Sequence, residues 1–102
     1  MSRLEKLRQL AAAQPDDPLT HYGVGLECMG LELWMDALAA FDRTLVIDAQ
    51  YSAAYLQKAR TLLKLGRRDE AAAVLQAGVA VAAARGETHA VSKMQELLET
   101  LG

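Results

Sequence analysis

A single cysteine, Cys28, leaves this chain without a partner thiol, so no internal disulfide supports the fold and nothing points to an oxidising compartment. Proline occurs only as Pro15 and Pro18, so one short stretch carries all of its helix-breaking power. Aromatic residues make up 5% of the chain and β-branched residues are also sparse, which removes the usual material of strands. Positive charge is not in excess: 11 Lys and Arg stand against 13 Asp and Glu, for a net charge of −2. That balance argues against a generic nucleic-acid binder. No stretch approaches the roughly 20 apolar residues that a bilayer span needs. The nearest, "AAAVLQAGVAVAAA", is too short and too rich in alanine. The opening "MSRLEKLRQL" is charged throughout and has no apolar run of signal-peptide length. These absences lead us to expect a soluble, cytoplasmic protein, whole or excised from a longer chain.

What the chain does have is alanine and helical punctuation. Its 102 residues suit one domain of modest core. Alanine loses no side-chain entropy on entering a helix, and its methyl group lets two backbones approach closely. The pattern predicts about six helices. The first covers Ser2–Ala13, with Leu4, Leu7, Leu10 and Ala11 on one face. Pro15 ends it; Asp17 caps the second, Pro18 takes that helix's first position, and Gly30 terminates it. Further helices are predicted over Trp34–Ile47, Ser52–Leu65, Asp69–Ala84 and Thr88–Leu101. The last carries a stripe of Val91, Met94, Leu97, Leu98 and Leu101, with Lys93, Glu96 and Glu99 outside it. No alternating strand pattern occurs, so the expected class is all-α.

The stretch "LELWMDALAAF", Leu31 to Phe41, recurs 34 residues later as "LGRRDEAAAVL". Leu31 then meets Leu65, Asp36 meets Glu70, Ala37 meets Ala71, and Phe41 meets Leu75. Upstream, His21 meets Tyr55, Gly25 meets Ala59 and Cys28 meets Leu62. Pro15 meets Ala49 and Ala83, each expected at the end of a helical run. A period of this length built from two helices is the mark of a helical solenoid.

On "HYGVGLEC", "WMDALAAFDRTLVIDA" and "YLQKARTLLKLGRRDEAAAVL", with "QPDDP" closing a preceding half repeat, the chain resembles the tetratricopeptide repeat family. The resemblance covers about Pro15 to Ala84. It implies antiparallel helix hairpins stacked in a right-handed superhelix: a capping helix at 2–14, repeats at 18–51 and 52–85, and a second capping helix at 88–101. It implies that small residues mark the crossing within each hairpin, Gly25 with Ala37 and Ala59 with Ala71. Tyr55 and Phe41 stand where the family places aromatics, whereas His21 and Leu75 depart from its pattern. Glu32 stands where the family's turn glycine is expected; Gly66 is in register.

Candidate chemistry is thin. The glycines of "GVGLECMG" lie inside a predicted helix rather than after a strand, so close packing is preferred to phosphate binding. His21 and Cys28 are two turns apart on a similar face, but their register matches Tyr55 and Leu62, so a structural role is preferred. Met29, Met35 and Met94 are read as gap fillers. Lys58, Arg60, Lys64, Arg67 and Arg68 could meet an acidic partner, although cations near a helix C-terminus also favour its dipole. Asp16, Asp17, Asp69 and Glu70 fall at helix starts, where capping explains them better than acid–base catalysis. Trp34 falls opposite Arg68 and is expected as a partly exposed packing residue near the hairpin turn. No catalytic constellation, metal set or cofactor motif is found, so no enzyme, cofactor or metal is expected.

In the resembled family the first helix of each hairpin lines a concave face that receives peptides or partner helices. Carried over by register, that face presents Leu19, Tyr22, Leu26 and Met29, then Ala53, Leu56, Arg60, Leu63 and Lys64. Some members hold a peptide's terminal carboxylate with Lys and Asn; Tyr22, Leu26 and Leu56 stand in the corresponding places and argue against that use. The expected function is a small scaffold or adaptor binding a protein or peptide, without nucleic acid or membrane. Self-association through the same groove, as a homodimer, is the alternative. An enzyme built on His21 and Cys28 is the least favoured reading.

Overall fold

A computed structural model describes residues 1–102 and contains six helices and no strand. They are α1 (Arg3–Ala13), α2 (Pro18–Gly30), α3 (Trp34–Ile47), α4 (Ser52–Lys64), α5 (Arg68–Ala84) and α6 (Thr88–Leu101). The first two helices start on side-chain caps, whereas α3 to α6 start without one. At α1, the Ser2 hydroxyl accepts from the Glu5 amide at 3.1 Å and the Glu5 carboxylate accepts from the Ser2 amide, a reciprocal capping box. At α2, Asp17 accepts from the Leu19 amide at 2.9 Å and Pro18 occupies the first helical position.

Successive helices pack against each other as antiparallel neighbours, and α2 also touches α4, as α4 touches α6. The backbones of α1, α3 and α5 stay apart from one another, and α1 reaches α3 only by side chains, as in the Arg8–Asp36 ion pair at 3.3 Å. Two layers result: α2, α4 and α6 draw together as an inner layer, while α1, α3 and α5 fan out as an outer one. This is the stacked-hairpin solenoid expected from the period, in a body of 41 × 29 × 19 Å.

The apolar interior is divided in two. Ala11, Val24, Cys28, Ala37, Ala40 and Phe41 form one cluster, between α1, α2 and α3. Leu38, Ala59, Leu62, Ala71, Leu75, Ala82 and Met94 form the other, reaching from α3 to α6. Only α3 contributes to both. Its Ala37 and Phe41 face one cluster and its Leu38 the other.

The connections are of two kinds. After α2, α4 and α5 the turn has three residues, its middle one in the left-handed region: Glu32 (φ 60°), Gly66 (φ 75°) and Gly86 (φ 71°). In each, the third amide donates to a carbonyl five residues back: Leu33 to Cys28 at 2.8 Å, Arg67 to Leu62 at 2.9 Å, and Glu87 to Ala82 at 2.9 Å. After α1 and α3 the connection has four residues, and its last amide closes a turn, Asp17 to Gln14 and Tyr51 to Asp48.

Some expectations hold and others need correction. Gly30 ends α2 as expected, and Glu32, at the place of the family's turn glycine, bears the left-handed conformation. Ala83, matched by period to Pro15 and Ala49, lies in the last turn of α5, at the end of a helical run as expected, although α5 has 17 residues against 14 in α3. Helix α5 joins α6 by the tight turn rather than the four-residue kind. Gly25 meets Phe41 rather than only Ala37: a Cβ there would lie 2.4 Å from the Phe41 ring. Met94 is buried as a gap filler, but Met35 is 61% exposed and fills nothing.

Candidate functional site: the inner helical face

The residues assigned by register to a concave face all lie on α2 or α4, in the inner layer. Each helix buries one side through Thr20, Val24, Gly25 and Cys28, or Ala54, Ala59, Thr61 and Leu62. The remaining apolar positions are left to the surface. Leu19 is 62% exposed and Leu26 41%, while Tyr22, Met29, Leu56 and Leu63 are half-buried; Arg60 and Lys64 are exposed.

Tyr22 lies at the centre of an aromatic group. Its ring centroid is 5.0 Å from that of Tyr51 and 5.7 Å from that of Phe41, in tilted geometry. Burial pushes the Tyr22 hydroxyl above the usual phenol range, while Gln57 and the Arg60 charge pull it the other way. Burial likewise raises Tyr51, with nearby negative groups adding to it. Tyr51 and Gln57 were not expected on this face. Each occurs in only one copy, opposite Asp17 and Gly23, so the repeat gave no signal for either.

The five-cation cluster does not form a common patch. Lys58 Nζ pairs with Asp42 at 2.7 Å, and Arg67 makes two bonds to Glu70, at 2.8 and 2.7 Å. Arg68 donates to the Leu101 and Thr100 carbonyls at 3.0 and 3.3 Å, at the end of α6. Lys64 Nζ sits 5.7 Å from the centroid of the Trp34 ring, within cation–π range. Of the five, only Arg60 lacks an ion pair, a hydrogen bond and a cation–π contact within the chain. Trp34 is half-buried, as expected of a rim residue. Both it and its period mate Arg68 open a helix and engage the C-terminal end of the next inner helix, α4 or α6.

His21 and Cys28 do separate work. The His21 ring Nε2 lies 2.9 Å from the Pro15 carbonyl, and the Tyr55 hydroxyl donates to the Ala49 carbonyl at 2.6 Å. These are the same bond one period apart, so His21 substitutes for the aromatic residue in function as well as position. Cys28 is buried in the N-terminal cluster, and that burial raises its thiol above the ordinary range. Asp17 caps, Glu70 pairs, and no three His, Cys, Asp or Glu side chains converge in metal-binding geometry. No helix is long and apolar enough to cross a membrane. The largest depression, about 390 Å³, is open and adjoins this face at the start of α4, where Tyr51 and Ala53 line it with Asp48, Gln50, Ser52, Arg85 and Glu87.

Comparison with known proteins agrees with this geometry. The family described as Tetratricopeptide repeat matches residues 34–93. A protein of Bordetella parapertussis, solved in solution, is 28% identical; the match covers 99% of this chain and 88% of that one, with a TM-score of 0.85. PcrH, solved in complex with the chaperone binding region of PopD, is 21% identical over 96% of this chain and 74% of its own, with a TM-score of 0.91. The type III secretion translocator chaperone SycD of Yersinia enterocolitica is 18% identical over 96% and 68%, with the same TM-score of 0.91. Comparison with curated proteins returns no match.

Proposed function

This chain belongs to the tetratricopeptide repeat family, and from that premise we propose that it is a non-enzymatic protein-interaction module whose inner face receives a peptide or partner helix. The carrying observation is the apolar side of α2 and α4 left at the surface. Leu19 and Leu26 are exposed beside half-buried Tyr22, Met29, Leu56 and Leu63, although the opposite sides of both helices are packed. An apolar strip of this kind is stabilised by burial against an amphipathic or extended segment. Leu63, Arg60 and Lys64 would close its far edge. PcrH, a stack of the same fold, carries a region of PopD, which supports reading such a stack as a receptor for part of another protein. We take residues 1–102 as one unit, with repeats at 18–51 and 52–85 between capping helices at 2–14 and 88–101.

The test is comparative capture. Native protein and a Tyr22→Ala/Leu56→Glu variant are immobilised at equal density and exposed to extract of the native cell. The expected result is one or more proteins retained by the native chain and lost from the variant, with the helical circular dichroism of the two unchanged. Equal retention by both would move the site to another face. Light scattering over a concentration series addresses self-association: a dimer that dissociates in the same variant would make a second copy the occupant.

A further inference from the structure

The two inner helices that bear the apolar strip, α2 and α4, carry a charge opposite to that of the whole chain. Helix α2 has one acid, Glu27, and α4 has three cations, Lys58, Arg60 and Lys64, so together they carry 3 − 1 = +2 in a chain of net charge −2. Three of these four charges are engaged by the outer helices. Glu27 pairs with Arg3 of α1 at 3.1 Å, Lys58 with Asp42 of α3, and Lys64 lies over Trp34 of α3. Arg60 alone has no partner. It stands one period after the exposed Leu26 and close enough to Tyr22 to act on that hydroxyl. A guanidinium bordered by apolar side chains is where an incoming carboxylate would lose water on one side and gain a fork of donors on the other.

We propose that the occupant of the inner face is an apolar peptide segment bearing a side-chain carboxylate, Asp or Glu, that pairs with Arg60. This rests on the inner face being the binding surface. The ion pair supplies register and discrimination, while the apolar strip supplies most of the affinity. Amide analogues of the same segment bind the strip but lose the pair.

Selection of short random peptides displayed with their C-termini fused tests this, on native protein, Arg60→Gln, Arg60→Glu and Tyr22→Ala/Leu56→Glu. The expected outcome is apolar sequences with a recurrent acid on the native chain, no charge preference on Arg60→Gln, and a basic preference on Arg60→Glu. A selected peptide made with an amidated C-terminus should bind the native chain about three- to tenfold more tightly than its Asp→Asn form. That ratio should fall to about one in Arg60→Gln and shrink as salt is raised. Apolar enrichment without an acid, or an acid preference that survives Arg60→Glu, would overturn the Arg60 assignment and leave the binding face standing. A preference for a free terminal carboxylate, or competition by a labelled oligonucleotide, would also overturn it. No enrichment over the Tyr22→Ala/Leu56→Glu variant would end both readings.

Discussion

Gly25 and Phe41 form one packing unit, and the second copy reaches the same density by another division of volume. The first copy sets a large ring against a residue with no side chain; the second holds buried Ala59 and Leu75 at the matching places. We predict that Gly25→Ala destabilises the fold by about 1–3 kcal/mol through overpacking. Adding Phe41→Leu should return part of that loss, and a double-mutant cycle by urea denaturation measures the coupling. Glu32 is the opposite case, a side chain in a left-handed turn that Gly66 and Gly86 occupy without strain. Glu32→Gly should raise stability by about 1 kcal/mol, read as a higher melting temperature. Cys28 supplies a pH prediction. Its thiol is raised by burial, so the folded state favours the neutral form; stability is complete below the ordinary thiol value and declines as pH rises past it. Denaturation series between neutral and alkaline pH should show this decline, and Cys28→Ala should remove that stage while lowering stability throughout.

At the scale of the element, the tight turns explain what the period conveyed and where it stopped. Helix limits were legible because Ser2, Asp17, Pro18, Gly66 and Gly86 each signal a boundary by local chemistry. Gly30 marked the end of α2, and the repeat register placed the left-handed turn residue at Glu32, two positions later. The end of α5 was legible too, since the run before Gly86 was expected to reach Ala84 and does. The inner face was legible as a set of positions through the repeat, but Tyr51, Gln57 and the dispersal of the five cations were not, because each depends on contacts in one copy. Arg68 shows this dependence. It lies at the start of α5 yet donates to the last carbonyls of α6, where a cation also favours the helix dipole. Arg68→Ala should cost about 0.5–1 kcal/mol and speed amide exchange in the last turn of α6, with little change in α1 and α2.

For the whole molecule, the consequence lies in the single helix common to both interiors. Since Leu38 is the α3 residue turned into the C-terminal cluster while Ala37 and Phe41 are turned into the other, the cooperativity of the chain is vested in α3. A two-core body joined this way behaves as neighbouring units with one interface energy between them. Leu38→Ala should weaken that interface, by about 2–5 kcal/mol for a buried leucine. In the native chain, urea transitions followed by Trp34 fluorescence and by helical circular dichroism should coincide. In Leu38→Ala they should separate, one half melting ahead of the other and a half-folded intermediate accumulating between the two midpoints.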